Sequence, residues 1–207
     1  MAPRKVHDLA PDSPVARANR AAQGVTLSET AEATQLPLIA IVGNPNVGKS
    51  VVFHLLTGRY VVVSNYPGTT VEISKGKCTI GATPCRVFDT PGMYSLVPVS
   101  EEERIARRIL LKESPAAVIH VVDGKNLPRM LPMTLQLIEA GLPVILLLNL
   151  MDEVRKVGLS IDVASLQQKL KIPVVAMTAT RGTGLDVLLA VLEPLVAVAA
   201  NPNGEVA

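Results

Sequence analysis

The fold is decided by the stretch Leu38-Ile39-Ala40-Ile41-Val42-Gly43-Asn44-Pro45-Asn46-Val47-Gly48-Lys49-Ser50. Its first five residues form an apolar strand candidate, and the following eight match the pattern GxxxxGK[ST] at every fixed position. Glycines there let successive backbone N–H groups turn inward around phosphate oxygens, and the N-terminus of the next helix adds partial positive charge. The stretch predicts a phosphate-binding loop, in which Lys49 reaches the β- and γ-phosphates of a nucleotide and the Ser50 hydroxyl ligates Mg²⁺.

The chain beyond this loop alternates apolar strand candidates with helices, which is typical of a mostly parallel sheet covered on both faces. The spacing predicts an α/β fold with six strands, one of them an antiparallel edge strand contributed by the first hairpin. Ligands of such sheets bind at the carboxyl ends of the strands. The predicted strands are Leu38–Val42, Val71–Thr79, Cys85–Asp89, Ala117–Asp123, Pro143–Leu148 and Val174–Thr178, and the predicted helices are Ser50–Thr57, Glu101–Lys112, Pro132–Ala140, Val163–Leu170 and Leu185–Val198.

Composition predicts one domain with an aliphatic core, because 48% of the 207 residues are hydrophobic but only 2% are aromatic. Residues 1–36 are rich in Ala, Pro, Ser and Thr, which indicates a flexible extension with a short helix near 14–22. Residues 37–200 are predicted to form the nucleotide-binding domain and residues 201–207 a tail. The net charge of +2 gives no reason to expect a nucleic-acid partner.

Membrane insertion and disulfide formation are not expected. Two cysteines are too few for a disulfide scaffold, which favours a reducing cytoplasm. The start of the chain has no apolar signal core, and no segment approaches the ~20 apolar residues that cross a bilayer. The sequence therefore predicts a cytoplasmic chain without a transmembrane segment.

Asn149-Leu150-Met151-Asp152 follows a buried strand and fits the N-x-x-D form of a guanine-specificity motif. The Asp152 carboxylate can accept hydrogen bonds from N1 and N2 of guanine, whereas adenine would leave it unpaired. Asn149 is expected to tie the loop together. The stretch Thr178-Ala179-Thr180 follows the last strand and is similar to the loop whose backbone contacts the guanine O6 atom. Together these residues predict GTP and GDP as ligands.

Two further segments are predicted to contact Mg²⁺ and the γ-phosphate. Asp89-Thr90-Pro91-Gly92 follows the second hairpin strand, so that Asp89 would bind Mg²⁺ through water and the Gly92 N–H would contact the γ-phosphate. The stretch before the hairpin, residues 59–72, contains Thr69 and Thr70. One of these threonines is expected to ligate Mg²⁺ in a loop ordered by the γ-phosphate, and their spacing does not choose between them.

With these motifs the chain resembles the G domain of the ferrous iron transport protein B family, within the TrmE-Era-EngA-like class of P-loop GTPases. The resemblance covers roughly Leu38 to Leu192. The segment after the Asp89 motif, Met93-Tyr94-Ser95-Leu96, is its most specific part. The other matching segments are Gly43–Ser50, Asn65–Glu72, Asp89–Gly92, Val122-Asp123, Asn126-Leu127, Thr134-Leu135-Gln136-Leu137 and Asn149–Glu153.

The resemblance implies a GTP-hydrolysing switch that regulates Fe²⁺ uptake from the cytoplasmic face of the inner membrane, with a membrane permease domain in the same or a separate chain. It implies that Thr70 is the Mg²⁺ ligand and that Asn46 helps to hold K⁺ beside the phosphates. Lys49 and Gly92 would complete the catalytic set. Met93 cannot orient water as a glutamine would, so slow hydrolysis, stimulated by K⁺, is expected.

Two other functions remain open from the residues. A ribosome-assembly GTPase of the Era or EngA kind shares the P-loop asparagine and the N-x-x-D loop. Such a protein would require a basic RNA-binding appendage, and the sequence shows no such segment. A non-hydrolysing guanine-nucleotide sensor would use the same motifs. Among minor candidates, Cys78 and Cys85 could face each other across the hairpin, most simply as packing thiols, and the run Glu101-Glu102-Glu103 is expected to be a solvated helix start.

Overall fold

The computed structural model describes residues 36–58 and 61–201. Six helices and seven strands lie in these ranges, with two short 3₁₀ turns at Gly124–Asn126 and Ala179–Arg181. The strands are β1 (Leu38–Val42), β2 (Val61–Asn65), β3 (Glu72–Ile80), β4 (Thr83–Asp89), β5 (Ala117–Asp123), β6 (Val144–Asn149) and β7 (Val174–Ala176). The helices are α1 (Lys49–Thr57), α2 (Glu101–Lys112), α3 (Leu127–Glu139), α4 (Met151–Lys156), α5 (Val163–Leu170) and α6 (Leu185–Ala200). The predicted extension up to residue 35, Arg59 and residues 202–207 of the predicted tail lie outside the described residues.

A single mixed sheet of order β2-β3-β4-β1-β5-β6-β7 organises the domain. β4, β1, β5, β6 and β7 are parallel neighbours, and β3 is antiparallel to both β2 and β4. The predicted α/β class is confirmed. The strand count of six is corrected to seven, and the antiparallel strand lies one place inside the edge rather than at it.

The additional strand, β2, carries no alternating pattern that would reveal it. Val62 and Val63 are adjacent and both exposed, so neither face of the strand is fully buried. β2 is instead held by backbone pairing with β3, from Val61 opposite Gly76 to Asn65 opposite Glu72. Pairing of this kind depends on the open edge of another strand, and that edge is not visible in a local hydrophobic period.

Two aliphatic cores cover the faces of the sheet. On one face, α1 and α6 pack on β1, β3 and β4 through residues such as Phe53, Leu56 and Leu192. On the other, α2 and α3 cover the sheet through Ala106, Leu110, Met133 and Leu137, with Ile105 and Ile109 over Ile73 and Phe88. The aliphatic core predicted from composition is therefore the one observed.

Helix boundaries differ from the prediction where proline and short loops intervene. α3 begins at Leu127, so the proline that was expected to open it, Pro132, lies inside. Pro132 lies in the second turn and has no N–H to donate to the carbonyl of residue 128, so this helix lacks one of its interior hydrogen bonds. α4 has only six residues, too few for a hydrophobic period, and was not predicted.

Cys78 lies directly opposite Cys85 across the β3–β4 hairpin, and both are buried thiols. A two-residue turn, Gly81 and Ala82, joins these strands. Among the described residues, no helix combines the length and apolar character that a membrane span requires.

His120, in the middle of β5, is fully buried. Its Nδ1 atom lies 3.0 Å from the Thr134 hydroxyl, and its Nε2 atom has no partner within the described part of the chain. Burial lowers the pKa of His120 from 6.5 to about 3. The unfolded histidine takes up a proton near pH 6.5, so the unfolded state binds more protons between these values and stability falls as the pH falls.

We therefore expect the free energy of unfolding to decrease by about 2 kcal/mol between pH 7.5 and pH 5.0 through His120 alone. Urea unfolding at both pH values measures the decrease. His120→Asn keeps a polar group beside Thr134 but has no group that titrates there. Its decrease in the free energy of unfolding between pH 7.5 and pH 5.0 should therefore be smaller by about 2 kcal/mol. Other titrating groups are common to both chains and cancel in the comparison. An equal pH dependence in the two chains would contradict the assignment.

Candidate nucleotide site

The phosphate-binding loop lies between β1 and α1, at the carboxyl edge of the sheet. Its buried members are Gly43, Asn44, Val47 and Lys49, whereas Pro45, Asn46 and Ser50 are exposed. The Lys49 ammonium donates to the Asn44 carbonyl oxygen at 3.0 Å and so spans the loop. Burial lowers the pKa of Lys49, and the nearby Asp89 carboxylate opposes that shift. The loop thus holds a partly desolvated cation against the carbonyl of its own second residue, Asn44.

Asp89, at the end of β4, reaches the first residue after the loop lysine. The Ser50 hydroxyl donates to Asp89 Oδ2 at 2.8 Å, while Asp89 Oδ1 is buried without a partner among the described residues. Burial raises the pKa of Asp89, and the Ser50 hydrogen bond and the Lys49 charge lower it. A hydroxyl beside a carboxylate with an unused oxygen is a donor set that suits Mg²⁺.

The Asp89–Gly92 segment is fastened to the loop. The Thr90 hydroxyl donates to the Ile41 carbonyl at 2.9 Å, and the Met93 N–H donates to the Gly43 carbonyl at 3.1 Å. A Cβ atom on Gly92 would lie 2.8 Å from Pro45 Cγ, so only glycine fits this close approach. The backbone of Gly92 therefore lies against Pro45 of the predicted phosphate loop.

Asn149, at the end of β6, joins the phosphate loop to the Thr178–Thr180 segment. Its Nδ2 atom donates to the Val47 carbonyl at 2.9 Å, and its Oδ1 atom accepts from the Ala179 N–H at 3.0 Å. The side chain is only 1% exposed. Gly48 has φ +94, and a Cβ atom there would collide with Asn149 Nδ2. Three separate segments are thus locked together by one amide.

Asp152 lies in the first turn of α4, three residues beyond Asn149. Its side chain is 17% exposed, and Oδ2 lies 3.7 Å from Arg181 Nη2 and 4.0 Å from Lys156 Nζ. Among its neighbours, Thr180 is exposed, whereas the Thr178 hydroxyl is buried without a partner among the described residues and borders a cavity of about 160 Å³. The carboxylate therefore lies at the carboxyl edge of the sheet, near Arg181 at the end of the Ala179–Arg181 turn.

The two candidate Mg²⁺ threonines differ in their hydrogen bonding. The Thr69 hydroxyl donates to the Tyr66 carbonyl at 2.9 Å and accepts from the Val71 N–H, so it is occupied within its own turn. Thr70 is exposed and lies two residues before the start of β3. No contact of Thr70 with Ser50 or Asp89 occurs in the described structure, so this residue is not brought to the phosphate loop here.

Glu103 is a site residue whose role was not predicted. Its carboxylate accepts from the backbone N–H groups of Val99 (2.7 Å), Tyr94 (3.3 Å) and Ser100 (3.4 Å). These bonds lower the pKa of Glu103, that of Val99 most. The Ser100-x-x-Glu103 spacing is a capping box, a signal that the sequence does carry. Glu101 and Glu102 are exposed, as expected for a solvated helix start.

Comparison with known proteins places this site in a family. The family model described as Ferrous iron transport protein B matches residues 38–192. The chain is 43% identical over 151 residues to the Fe(2+) transport protein A/Fe(2+) transporter FeoB fusion protein of Porphyromonas gingivalis, covering 72% of this chain and 18% of that protein. The curated relatives it matches are therefore several times longer than the matched region.

Solved structures of the same family are also similar to this chain. The cytosolic domain of the T. maritima FeoB iron transporter in a GDP form is 40% identical, with a TM-score of 0.73, over 79% of this chain and 63% of that one. The G domain of the same transporter is 37% identical, with a TM-score of 0.70, over 80% of this chain and 99% of that one. The chain belongs to the ferrous iron transport protein B family and has the fold of its G domain.

Proposed function

We propose that residues 37–200 form a G domain that binds GTP and GDP with Mg²⁺, hydrolyses GTP slowly to GDP and phosphate, and thereby regulates Fe²⁺ uptake. The observation that carries the proposal is the Asn149 amide, which joins Val47 of the phosphate loop to Ala179 of the loop beside Asp152. This connection supports a common nucleotide site, because it links the predicted phosphate loop to the turn that lies near Asp152.

Phosphate binding rests on the whole loop, Gly43, Asn44, Pro45, Asn46, Val47, Gly48, Lys49 and Ser50. Lys49 would leave the Asn44 carbonyl to contact the β- and γ-phosphates. Ser50 and Thr70 would ligate Mg²⁺ and Asp89 would hold it through water. Mg²⁺, when bound, neutralises charge on the phosphate oxygens. The unpartnered Asp89 Oδ1 atom and the exposed Thr70 side chain support these roles.

Base recognition rests on Asp152, with Asn149, Thr178, Ala179 and Thr180 around it. Asp152 would accept hydrogen bonds from N1 and N2 of guanine, and the Ala179 backbone would approach the O6 atom. The pairs of Asp152 with Arg181 and Lys156 involve exposed cations at 3.7 and 4.0 Å, and such pairs contribute little. They leave the carboxylate available to a base.

Hydrolysis needs an ordered water and a positive charge near the β–γ bridge. Met93 is fully buried, so its side chain cannot hold a water, and the Gly92 backbone N–H would contact the γ-phosphate instead. Asn46 is exposed in a left-handed conformation (φ 63), and its side chain makes no hydrogen bond to the described residues. This availability supports the role of Asn46 in holding K⁺, which supplies charge as an arginine finger does.

The iron connection comes from the family. The relatives are named Fe(2+) transporters, and the structures are named cytosolic domains of such transporters. We propose that this domain acts at the cytoplasmic face of the membrane, with an iron-permease domain as its partner and without a nucleic-acid partner.

The experiment that tests the proposal compares GTP, GDP and ATP in calorimetric titrations with Mg²⁺. GTP and GDP are expected to bind, and ATP to bind poorly. Lys49→Ala should weaken GTP binding more than tenfold, or ~1.4 kcal/mol, because the phosphates lose their buried cation. Lys169→Ala, at an exposed position of α5, is the matched control and should bind like the wild type. Equal ATP and GTP affinity would refute guanine recognition.

We expect K⁺ to accelerate GTP turnover about tenfold over Na⁺, and Asn46→Ala to abolish the difference while leaving GDP affinity nearly unchanged. K⁺ sheds its water more readily than Na⁺, and Lys49 still holds the phosphates in the variant. Steady-state phosphate release in matched salts measures the effect. Arg59, at the start of the segment 59–72, is the rival source of positive charge, and Arg59→Ala tests that role. Identical wild-type rates in both salts would remove the K⁺ role, and a collapse only in Arg59→Ala would assign it to the arginine.

A further inference from the structure

The β3–β4 hairpin has a basic surface on the face that points away from α1 and α6. One face of this hairpin is buried against α1 and α6 through Cys78, Cys85 and Val87. Its opposite face carries Lys75 and Lys77 on β3 and Arg86 on β4, which together are called the basic hairpin face. Lys77 is exposed, and Lys75 and Arg86 are partly so.

These three cations are close together. Lys77 is directly opposite Arg86 in the strand register. Lys75 Nζ and Arg86 Cζ lie 5.3 and 5.7 Å from the centre of the same Phe88 ring. Like charges directly opposite on adjacent strands are destabilising. None of the three forms a salt bridge with another described residue, so an anionic group on this face would offset their repulsion.

The chain enters the domain at this face. Arg86 Nε donates to the Leu36 carbonyl at 3.2 Å, and the Arg86 N–H donates to the Pro37 carbonyl at 2.9 Å. Leu36, the first described residue, is therefore held beside Arg86 of this face. Residues 21–35 contain two acidic residues, Glu29 and Glu32, and neither lysine nor arginine.

We propose that residues 29–35 of this chain dock on the basic hairpin face, with Glu29 and Glu32 paired to Lys75, Lys77 and Arg86. Glu32 is four residues from Leu36, and a chain of that length reaches about 13 Å, enough to cover the face. A short tether gives an effective concentration on the order of millimolar, which favours this segment over free anions. The docked segment would stabilise the β3–β4 hairpin, which follows Thr70 and ends at Asp89.

The test is carbodiimide cross-linking of the whole chain, which forms an amide bond between a carboxylate and a lysine in direct contact. Mass spectrometry of the monomer fraction is expected to find Glu29 or Glu32 joined to Lys75 or Lys77. Glu29→Gln/Glu32→Gln should abolish these products, and Arg86→Gln should reduce them several-fold. Asp8→Asn/Asp12→Asn removes the same charge from the same extension and should change the yield less than twofold.

Lys125 and Glu153, which form an ion pair in the structure, provide an internal positive control. If that pair cross-links while Glu29 and Glu32 do not reach Lys75 or Lys77, the proposal is wrong. Sedimentation with phosphatidylglycerol vesicles tests the rival occupant of this face, which is an anionic lipid surface. Docking predicts that Glu29→Gln/Glu32→Gln increases vesicle binding by uncovering the cations. Binding that depends on Lys75 and Lys77 but is unchanged in Glu29→Gln/Glu32→Gln would assign the face to an anionic lipid surface instead.

Discussion

Replacement of Asp152 by asparagine is expected to weaken GTP binding about a hundredfold, or ~2.7 kcal/mol, and to make xanthosine triphosphate the preferred ligand. In the proposed complex the carboxylate would accept two hydrogen bonds from guanine, whereas the amide would present a donor that repels the guanine N2 group and suits the O2 acceptor of xanthine. Competition of both nucleotides against a fluorescent GDP analogue measures the change.

The matched control for this substitution is Asp186→Asn, an exposed carboxylate in the first turn of α6. It changes the net charge equally and should leave the preference for guanine intact. Asp152→Asn also removes the charge that faces Arg181 and Lys156, so titrations at two salt concentrations separate a general electrostatic loss from base recognition. A variant that keeps the wild-type preference would show that guanine is recognised elsewhere.

Replacement of Asn149 by alanine should lower the free energy of unfolding by about 2–4 kcal/mol and weaken GDP binding at the same time. The variant leaves the buried Val47 carbonyl and Ala179 N–H without partners and opens a void beside Gly48. Urea denaturation and calorimetry on the same preparation measure both losses.

Asn126→Ala provides a control of the same chemistry in an exposed setting, since Asn126 Nδ2 donates to Asp123 at 2.8 Å on the surface. Its loss of stability should stay within about 0.5 kcal/mol. Asn149→Asp retains the acceptor for Ala179 but turns a buried carboxylate oxygen toward the Val47 carbonyl, so at neutral pH it should be at least as destabilised as Asn149→Ala. If Asn149→Ala is as stable as Asn126→Ala, the amide does not hold the site together.

The parts of the fold that the sequence predicted are those whose cause is local. The phosphate loop needs glycine at fixed positions, and β1, β5 and β6 are continuous apolar runs. β2 was missed because its two adjacent exposed valines show no period, and its pairing depends on the edge of β3. The antiparallel direction of β3 follows from its short turn to β4 and was predicted, whereas its place one strand inside the edge depends on β2.

The candidate site shows the same difference between features with a local cause and features that depend on distant parts of the chain. The motifs placed Asp89, Gly92, Asn149 and Asp152 at one edge because strand ends converge there. The choice between Thr69 and Thr70 depends on a hydrogen bond to the Tyr66 carbonyl, which spacing does not encode. The three backbone bonds to Glu103 require a folded loop, and only its capping-box half is visible in the sequence.

Met93 restricts how the segment around the γ-phosphate can move. Its N–H is bonded to Gly43, and its side chain is buried among Ala40, Val42, Ala106 and Leu110. Removing it from that core would cost on the order of 2–3 kcal/mol, so Met93 acts as a fixed pivot. Rearrangement is cheapest beyond it, where Tyr94, Val97 and Val99 are exposed. We therefore expect a change in position at Gly92 to displace the exposed residues beyond Met93 more readily than Met93 itself.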